Sequence, residues 1–157
     1  MRVGIGYDVH PLKAGRELIL GGVRIEHASG LDGHSDADVL THAVIDALLG
    51  AAALGDIGKW CPADDPKFEG ASSLDLLSTA AEAVRAAGYR VVNIDTTVIA
   101  EAPRLQPHLL AMKDTLARCL MIDAGRVSVK ATSPEGLGAL GQKAGIAAQA
   151  VAMVEET

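Results

Sequence analysis

Residues Arg2 to His10 alternate strictly: Val3, Ile5, Tyr7 and Val9 occupy the odd positions, and Gly4, Gly6, Asp8 and His10 the even ones. Strand side chains point to opposite faces in turn. The segment therefore predicts a β-strand with one apolar face and one face of glycine, carboxylate and imidazole. The two glycines leave room on that second face for something bulky to approach. Asp8 and His10, two residues apart, can reach a single point. A third ligand from elsewhere would leave one position of a tetrahedral metal open, which is how catalytic zinc sites are built. Asp-x-His pairs also arise by chance at solvated strand ends, so the pair alone leaves both readings open.

The second constraint is a helical stretch, about Asp36 to Leu54, that is apolar almost all round through Val39, Leu40, Ala43, Val44, Ile45, Leu48 and Leu49. Such a helix is buried on more than one side. Ser35 is the expected N-cap, after a polar loop from Asp32 to Ser35. His42 lies within this helix, either as a ligand or as a core histidine satisfied by a neighbour. Asp38 and Asp46, four residues either side, can share its face and orient the ring, or be exposed helix acids.

Elsewhere, Gly21-Gly22 between Glu17–Leu20 and Val23–Ile25 is a two-residue hairpin signal. Gly55 to Gly70 reads as a functional or solvated loop. A helix is expected over about Ser73 to Ala87, stopped by Gly88. A strand follows over Val91 to Ala100, with Val92, Ile94, Thr96 and Val98 on one face. A helix through Leu109, Met112, Leu116 and Leu120 leads to a strand from Arg126 to Thr132. A glycine-rich connection then precedes a last strand, about Ile146 to Glu155, small on both faces and expected to be covered on both. Strands alternating with helices predict one α/β two-layer sandwich over residues 1–157, with helices packed on a sheet.

Nearly half the chain is apolar while aromatics make up only 3%, so the core must be built from Ala, Val, Leu and Ile. No apolar run is long enough to span a bilayer, and no signal peptide is visible. Cys61 and Cys119 make no disulfide framework, and Cys119 occupies an apolar helical position. A net charge of −6 without a Lys/Arg run argues against nucleic-acid binding. An anionic substrate would then be held locally by metal ions, helix N-termini and backbone amides. A cytoplasmic protein is expected, with no membrane partner; a plastid stroma after transit-peptide removal is the alternative.

His34-Ser35-Asp36-Ala37-Asp38, His42, Asp46 to Gly50 and Gly55 to Gly58 resemble the 2-C-methyl-D-erythritol 2,4-cyclodiphosphate synthase family. The resemblance continues through Pro62, Asp65-Pro66, Ile99-Ala100, Ala102-Pro103, Lys130-Ala131-Thr132 and Glu135, and so covers essentially the whole chain. It implies a mixed sheet with helices on one face, and a homotrimer whose sheets face its axis and whose active sites lie between subunits. It implies a reaction in which the 2-phosphate of 4-diphosphocytidyl-methylerythritol 2-phosphate attacks its own diphosphate and expels CMP. One anion must approach another, so catalysis is mostly positioning and charge neutralisation. Asp8, His10 and His42 match the family's Zn²⁺ ligands, and Glu135 its ligand for Mg²⁺ or Mn²⁺. His34 and Ser133 match its catalytic positions, and His34 and Ser35 hold phosphate. Asp56, Ile57 and Gly58 match the methylerythritol segment, with Cys61 and Asp65 in the following loop. Ala100, Pro103, Leu105, Ala131, Thr132 and Ser133 match the cytidine pocket. Ala139 and Gln142 match further substrate contacts.

The chain departs from the family pattern in places. Cys61 replaces a usual aromatic, Ala63 a common acid and Ser133 a usual threonine. Ala139 and Gln142 stand where a phenylalanine and an arginine are common. Loss of that arginine removes a planar phosphate donor, for which Lys143 is an offset substitute. Besides the synthase, the residues admit a zinc-dependent phosphohydrolase or a non-catalytic trimeric binding protein.

Overall fold

The computed structural model describes residues 1–62 and 64–157; the expectation attached to Ala63 lies outside them. Strand β1 (Arg2–Ala14) is followed by β2 (Leu18–Leu20), β3 (Val23–Ile25) and β4 (Ser29–Leu31), then by helices α1 (Val39–Ala51) and α2 (Ile57–Trp60). A 3-10 turn at Pro66–Phe68 leads to α3 (Ser73–Ala86), β5 (Tyr89–Ile99), α4 (Leu109–Leu120) and β6 (Val127–Thr132). The one-turn helix α5 (Gly138–Gly141) and β7 (Gly145–Glu156) complete the chain.

The main sheet has the order β4-β1-β7-β5-β6, with β5 and β6 parallel and the other neighbours antiparallel. Helices α1, α3 and α4 cover one face of this mixed sheet, as the two-layer expectation required. The glycine face of β1 is where α1 lies. A Cβ added at Gly4 would fall on the carbonyl of Ala47, and one at Gly6 on the carbonyl of Ala43. The bulky neighbour for which the glycines leave room is thus the backbone of α1. Eleven of the thirteen α1 residues are buried, so this helix, packed between β1, β7 and α3, is the centre of the core.

Several boundaries differ from expectation. Strand β1 runs on to Ala14 because Leu12, Lys13 and Ala14 pair with β4. Helix α1 starts at Val39 and is capped by Asp38, whose carboxylate accepts from Thr41 N at 3.0 Å; Ser35 is not the cap. The left-handed backbone at Ala37 (φ 57°) breaks the chain between Ser35 and the helix. In β5 a bulge between Val91 and Asn93 shifts the phase, so Val91 enters the core in place of Val92. Strand β7 is covered on one face from residue 149 onward. Ala150, Ala152 and Val154 are buried, whereas Gln149 and Val151 are exposed. Cover on both faces is therefore not met within the chain, because α1 reaches only the alternate positions.

The hairpin β2–β3 forms as expected. Gly21 and Gly22 both take positive φ, at 56° and 72°, which the tight turn requires. Asp38 ties this turn to α1, accepting from Gly21 N at 2.9 Å, Gly22 N at 2.7 Å and Thr41 Oγ1 at 2.7 Å.

Candidate active site

Alternation along β1 sends Asp8 and His10 to the helix side of the sheet, and α1 delivers His42 onto them. Asp8 Oδ2 lies 3.0 Å from His10 Nε2 and 3.0 Å from His42 Nδ1. The two imidazole nitrogens are 3.2 Å apart. One oxygen and two nitrogens, all within 4.8 Å of one another, form a donor set that fits a divalent transition metal such as zinc. Such atoms crowd together at a cost unless a proton or a cation sits among them.

The electrostatics agree. Partial burial pushes the Asp8 carboxyl up, but the hydrogen bonds and charges of His10 and His42 outweigh it and hold the group well below the usual carboxylate range. Burial would push His42 down. The hydrogen bond and charge of Asp8, with the charges of Asp38 and Asp36, raise it above an ordinary histidine instead. The site favours positive charge.

A cavity of about 200 Å³ opens beside these atoms, lined by Asp8, His10, His34, Ser35, His42, Ile57, Gly58, Cys61, Phe68 and Leu76. Eight of these residues carry sequence-based expectations. The loop bearing His34 and Ser35 is held by Arg16, whose guanidinium donates to the carbonyls of Leu31 at 3.2 Å, Gly33 at 3.2 Å and Ser35 at 3.3 Å. His34 Nε2 meets the Asp65 carbonyl at 3.0 Å, which joins that loop to the start of the 3-10 turn at Pro66–Phe68. Asp46 accepts from Ile57 N at 2.8 Å and so fixes the start of α2 beside the cavity. Phe68 and Leu76 were not singled out from the sequence. Phe68 supplies an aromatic wall in the segment where Cys61 lacks one.

Of the two roles open to Asp38 and Asp46, that of orienting His42 is not met, since neither acid hydrogen-bonds to its ring, and Asp38 is not an exposed helix acid either. Asp38 is fully buried, its oxygens spent on the hairpin and the helix cap; burial pushes its carboxyl up against those donors. His42 Nε2 instead meets Ser73 Oγ at 2.9 Å and Ser35 Oγ at 3.1 Å, and Ser73 is in turn bonded to Asp36. Ser73 and Asp36 had no individual sequence signal, since the contacts span 31 and 37 residues. At the N-terminus of α1 the Asp38 carboxylate takes the Thr41 amide. Asp56 caps α2, accepting from Lys59 N at 3.0 Å, and Asp65 caps the 3-10 turn through Lys67 N at 3.0 Å.

The remaining expected residues form a second group at the exits of β5 and β6. Ala100 and Leu105 are buried there, and the Ala102–Pro103 peptide is cis. Ala131, Thr132, Ser133 and Glu135 are exposed. Ser133 Oγ donates to Glu101 Oε2 at 3.0 Å and accepts from Glu135 N at 2.9 Å, and Gly136 N reaches the same Glu101 oxygen at 3.2 Å. Glu101, not anticipated from sequence, therefore organises this turn. Lys130 points away from the turn and pairs with Asp95 at 2.6 Å. Ala139 and Gln142 are exposed in and just after α5. Strands β7 and β5 separate β6 from β1, and three strand spacings place the two groups about 14 Å apart.

A carboxylate and two imidazoles that could hold a metal ion converge over a small cavity on the helical side of a mixed sheet, which defines a protein of the α/β class with a candidate metal site. The family model described as the YgbB family matches residues 1–155. The 2-C-methyl-D-erythritol 2,4-cyclodiphosphate synthase of Syntrophomonas wolfei is 56% identical over 156 residues, covering 99% of each chain. A solved synthase of that name in a CDP-bound form is 35% identical, superposes with a TM-score of 0.90, and spans 98% of this chain and 100% of its own. The bifunctional IspDF from Campylobacter jejuni is 43% identical with a TM-score of 0.96; the match covers 99% of this chain and 42% of that longer one. The chain belongs to the YgbB family, with the cyclodiphosphate synthases as its relatives.

Proposed function

We propose that residues 1–157 act as one cyclodiphosphate synthase domain, a phosphorus–oxygen lyase. It converts 4-diphosphocytidyl-2-C-methyl-D-erythritol 2-phosphate to 2-C-methyl-D-erythritol 2,4-cyclodiphosphate and CMP, in the non-mevalonate isoprenoid pathway. The observation that carries this reading is the convergence of Asp8, His10 and His42 on a cavity that also takes in His34, Ser35, Ile57 and Gly58. Asp8, His10 and His42 would hold Zn²⁺, which supplies charge neutralisation at the attacked phosphate. Glu135 would hold Mg²⁺ or Mn²⁺ together with diphosphate oxygens.

The chain's own residues do the positioning. His34 and Ser35 hold the transferring phosphate, and Asp56, Ile57 and Gly58 receive the methylerythritol. Cys61 and Asp65 border it from the adjoining loop. Ala100, Pro103, Leu105, Ala131, Thr132 and Ser133 receive the cytidine largely through backbone groups, while Ala139 and Gln142 flank the C-terminal turn. The cavity at the metal ligands, about 200 Å³, is smaller than the roughly 300–1,000 Å³ of sites that enclose a larger ligand. It suits the polyol phosphate and leaves the nucleoside to the β5–β6 exits. With the two groups so far apart in one chain, each site is completed between subunits of a homotrimer. The exposed apolar strip of Val3, Ile5, Tyr7, Val9 and Val151 on the open sheet face supports that assembly. Both cysteines are free, in keeping with a cytoplasmic protein.

³¹P NMR of purified protein with the full substrate, Zn²⁺ and Mg²⁺ tests the reading. The expected products are the cyclic diphosphate and an equal amount of CMP, abolished by a chelator. Unchanged substrate from folded, zinc-loaded protein would overturn the reading, and so would a linear phosphate product, which indicates a hydrolase.

A further inference from the structure

His42 is held from two sides, and the reading above accounts for only one of them. Its Nδ1 faces Asp8 and His10, so Nδ1 is the nitrogen available to a metal. A neutral imidazole that gives its Nδ1 lone pair to a cation carries its hydrogen on Nε2. Two hydroxyls lie within reach of that single N–H, Ser73 Oγ at 2.9 Å and Ser35 Oγ at 3.1 Å. They differ in what lies behind them. Ser73 is fully buried at the first turn of α3, and its hydroxyl donates to Asp36 Oδ1. Its lone pair is thereby turned toward Nε2. Asp36 is itself fixed, accepting from Ser73 N at 2.9 Å and from Asp38 N at 3.2 Å. Ser35 has no carboxylate behind it; its oxygen accepts from Ala37 N at 3.2 Å, and the residue lines the cavity.

We propose that Ser73, backed by Asp36, is the positioning residue that fixes the tautomer and ring orientation of His42 for metal binding, leaving the Ser35 hydroxyl hydrogen for an anionic phosphate in the cavity. This rests on the metal-centre reading above. The chemistry is that of a carboxylate behind a metal-binding histidine, with a hydroxyl inserted between them. With Nε2 protonated, Ser35 cannot donate to the ring, so its hydrogen is free to turn toward a ligand. One serine serves the metal and the other the substrate, although both touch the same nitrogen.

The test is metal binding by purified, metal-free protein, read without turnover. Zn²⁺ affinity is measured by chelator competition, and Co²⁺ loading is followed by its visible absorption, which reports ligand geometry. Ser73→Ala is expected to weaken Zn²⁺ binding about 10–100-fold and to shift the Co²⁺ spectrum. Ser73→Thr, which keeps the hydroxyl, is expected to restore both. Asp36→Asn should weaken binding in the same sense, and it carries the test should Ser73→Ala fail to fold. Ser35→Ala is expected to hold Zn²⁺ within a few-fold of the parent while raising the KM for substrate. Wild-type affinity and an unchanged Co²⁺ spectrum in both Ser73→Ala and Asp36→Asn would overturn the proposal. Failure of Ser73→Thr to rescue would also overturn it. His42→Ala, measured alongside, separates the two levels: if it too binds Zn²⁺ normally, the metal assignment itself has failed.

Discussion

Asp8 and His42 pair at 3.0 Å, and a proton and a cation compete for the atoms between them. The folded, metal-free chain raises His42 above the 6.5 of the unfolded chain. In that interval the folded state holds a proton that the unfolded state has released. The pair's contribution to stability is therefore complete below pH 6.5 and is lost as pH climbs through the raised value. A cation needs the neutral ring, so its binding strengthens over the same interval. As pH climbs above 6.5 the Tm of metal-free protein should fall through this group, while the Tm gain on adding Zn²⁺ should grow. A Zn²⁺ gain that is flat with pH, or a slope unaltered in His42→Gln, would contradict the assignment. Asp38 makes a separate prediction. Asp38→Ala strips acceptors from the buried amides of Gly21 and Thr41 and removes the α1 cap. Urea denaturation should show a loss of about 3 kcal/mol, from one cap and at least one unsatisfied donor. A loss under about 1 kcal/mol would mean that water or relaxation replaces those bonds.

Helix α1 and strand β1 meet without side chains between them at Gly4 and Gly6, and this contact sets the distance from His42 to Asp8 and His10. Gly6→Ala would drive a methyl group into the Ala43 carbonyl. The helix must move away, at a cost of about 1–3 kcal/mol for overpacking. Zn²⁺ affinity should fall along with stability, whereas Gly50→Ala, where an added Cβ meets nothing, should leave Zn²⁺ affinity unchanged. Equal effects on both would mean that the contact does not set the metal geometry. Strand alternation put Asp8 and His10 on one face by a local rule, and helix burial put His42 in the core; that the three form one ligand set came from the family resemblance, since neither rule joins β1 to α1. What was not legible depended on contacts between distant segments. Asp36 and Ser73 meet across 37 residues, and no periodicity marks such a pair. The Val91/Asn93 bulge and the left-handed Ala37 are single-residue departures from regular backbone. They moved one core position and one helix cap by amounts that pattern reasoning does not resolve. Within the chain, helix α1 covers one face of β7 and leaves Gln149 and Val151 open, so cover on the second face would have to come from the proposed assembly.

Over the whole molecule, the sheet leaves Val3, Ile5 and Tyr7 between 53% and 73% exposed on the face away from the helices. That face fits a trimer axis, and the separation of the metal group from the β5–β6 group fits sites shared between neighbours. Subunits carrying His42→Ala and subunits carrying Glu135→Ala should each be inactive alone. Mixed, dissociated and reassembled in equal amounts, they should regain about a quarter of the wild-type rate, since a random cyclic trimer places intact halves together at that frequency. No recovery from mixed trimers would place each site within one subunit. No helix among the described residues is long and apolar enough to cross a membrane. If the Asp8–His10–His42 centre, once loaded, drives cyclisation, then titrating metal-free protein with Zn²⁺ at fixed Mg²⁺ should release CMP, matched by cyclic diphosphate, in amounts that rise linearly to a plateau at about one Zn²⁺ per chain. Full CMP release before any Zn²⁺ is added would refute that role.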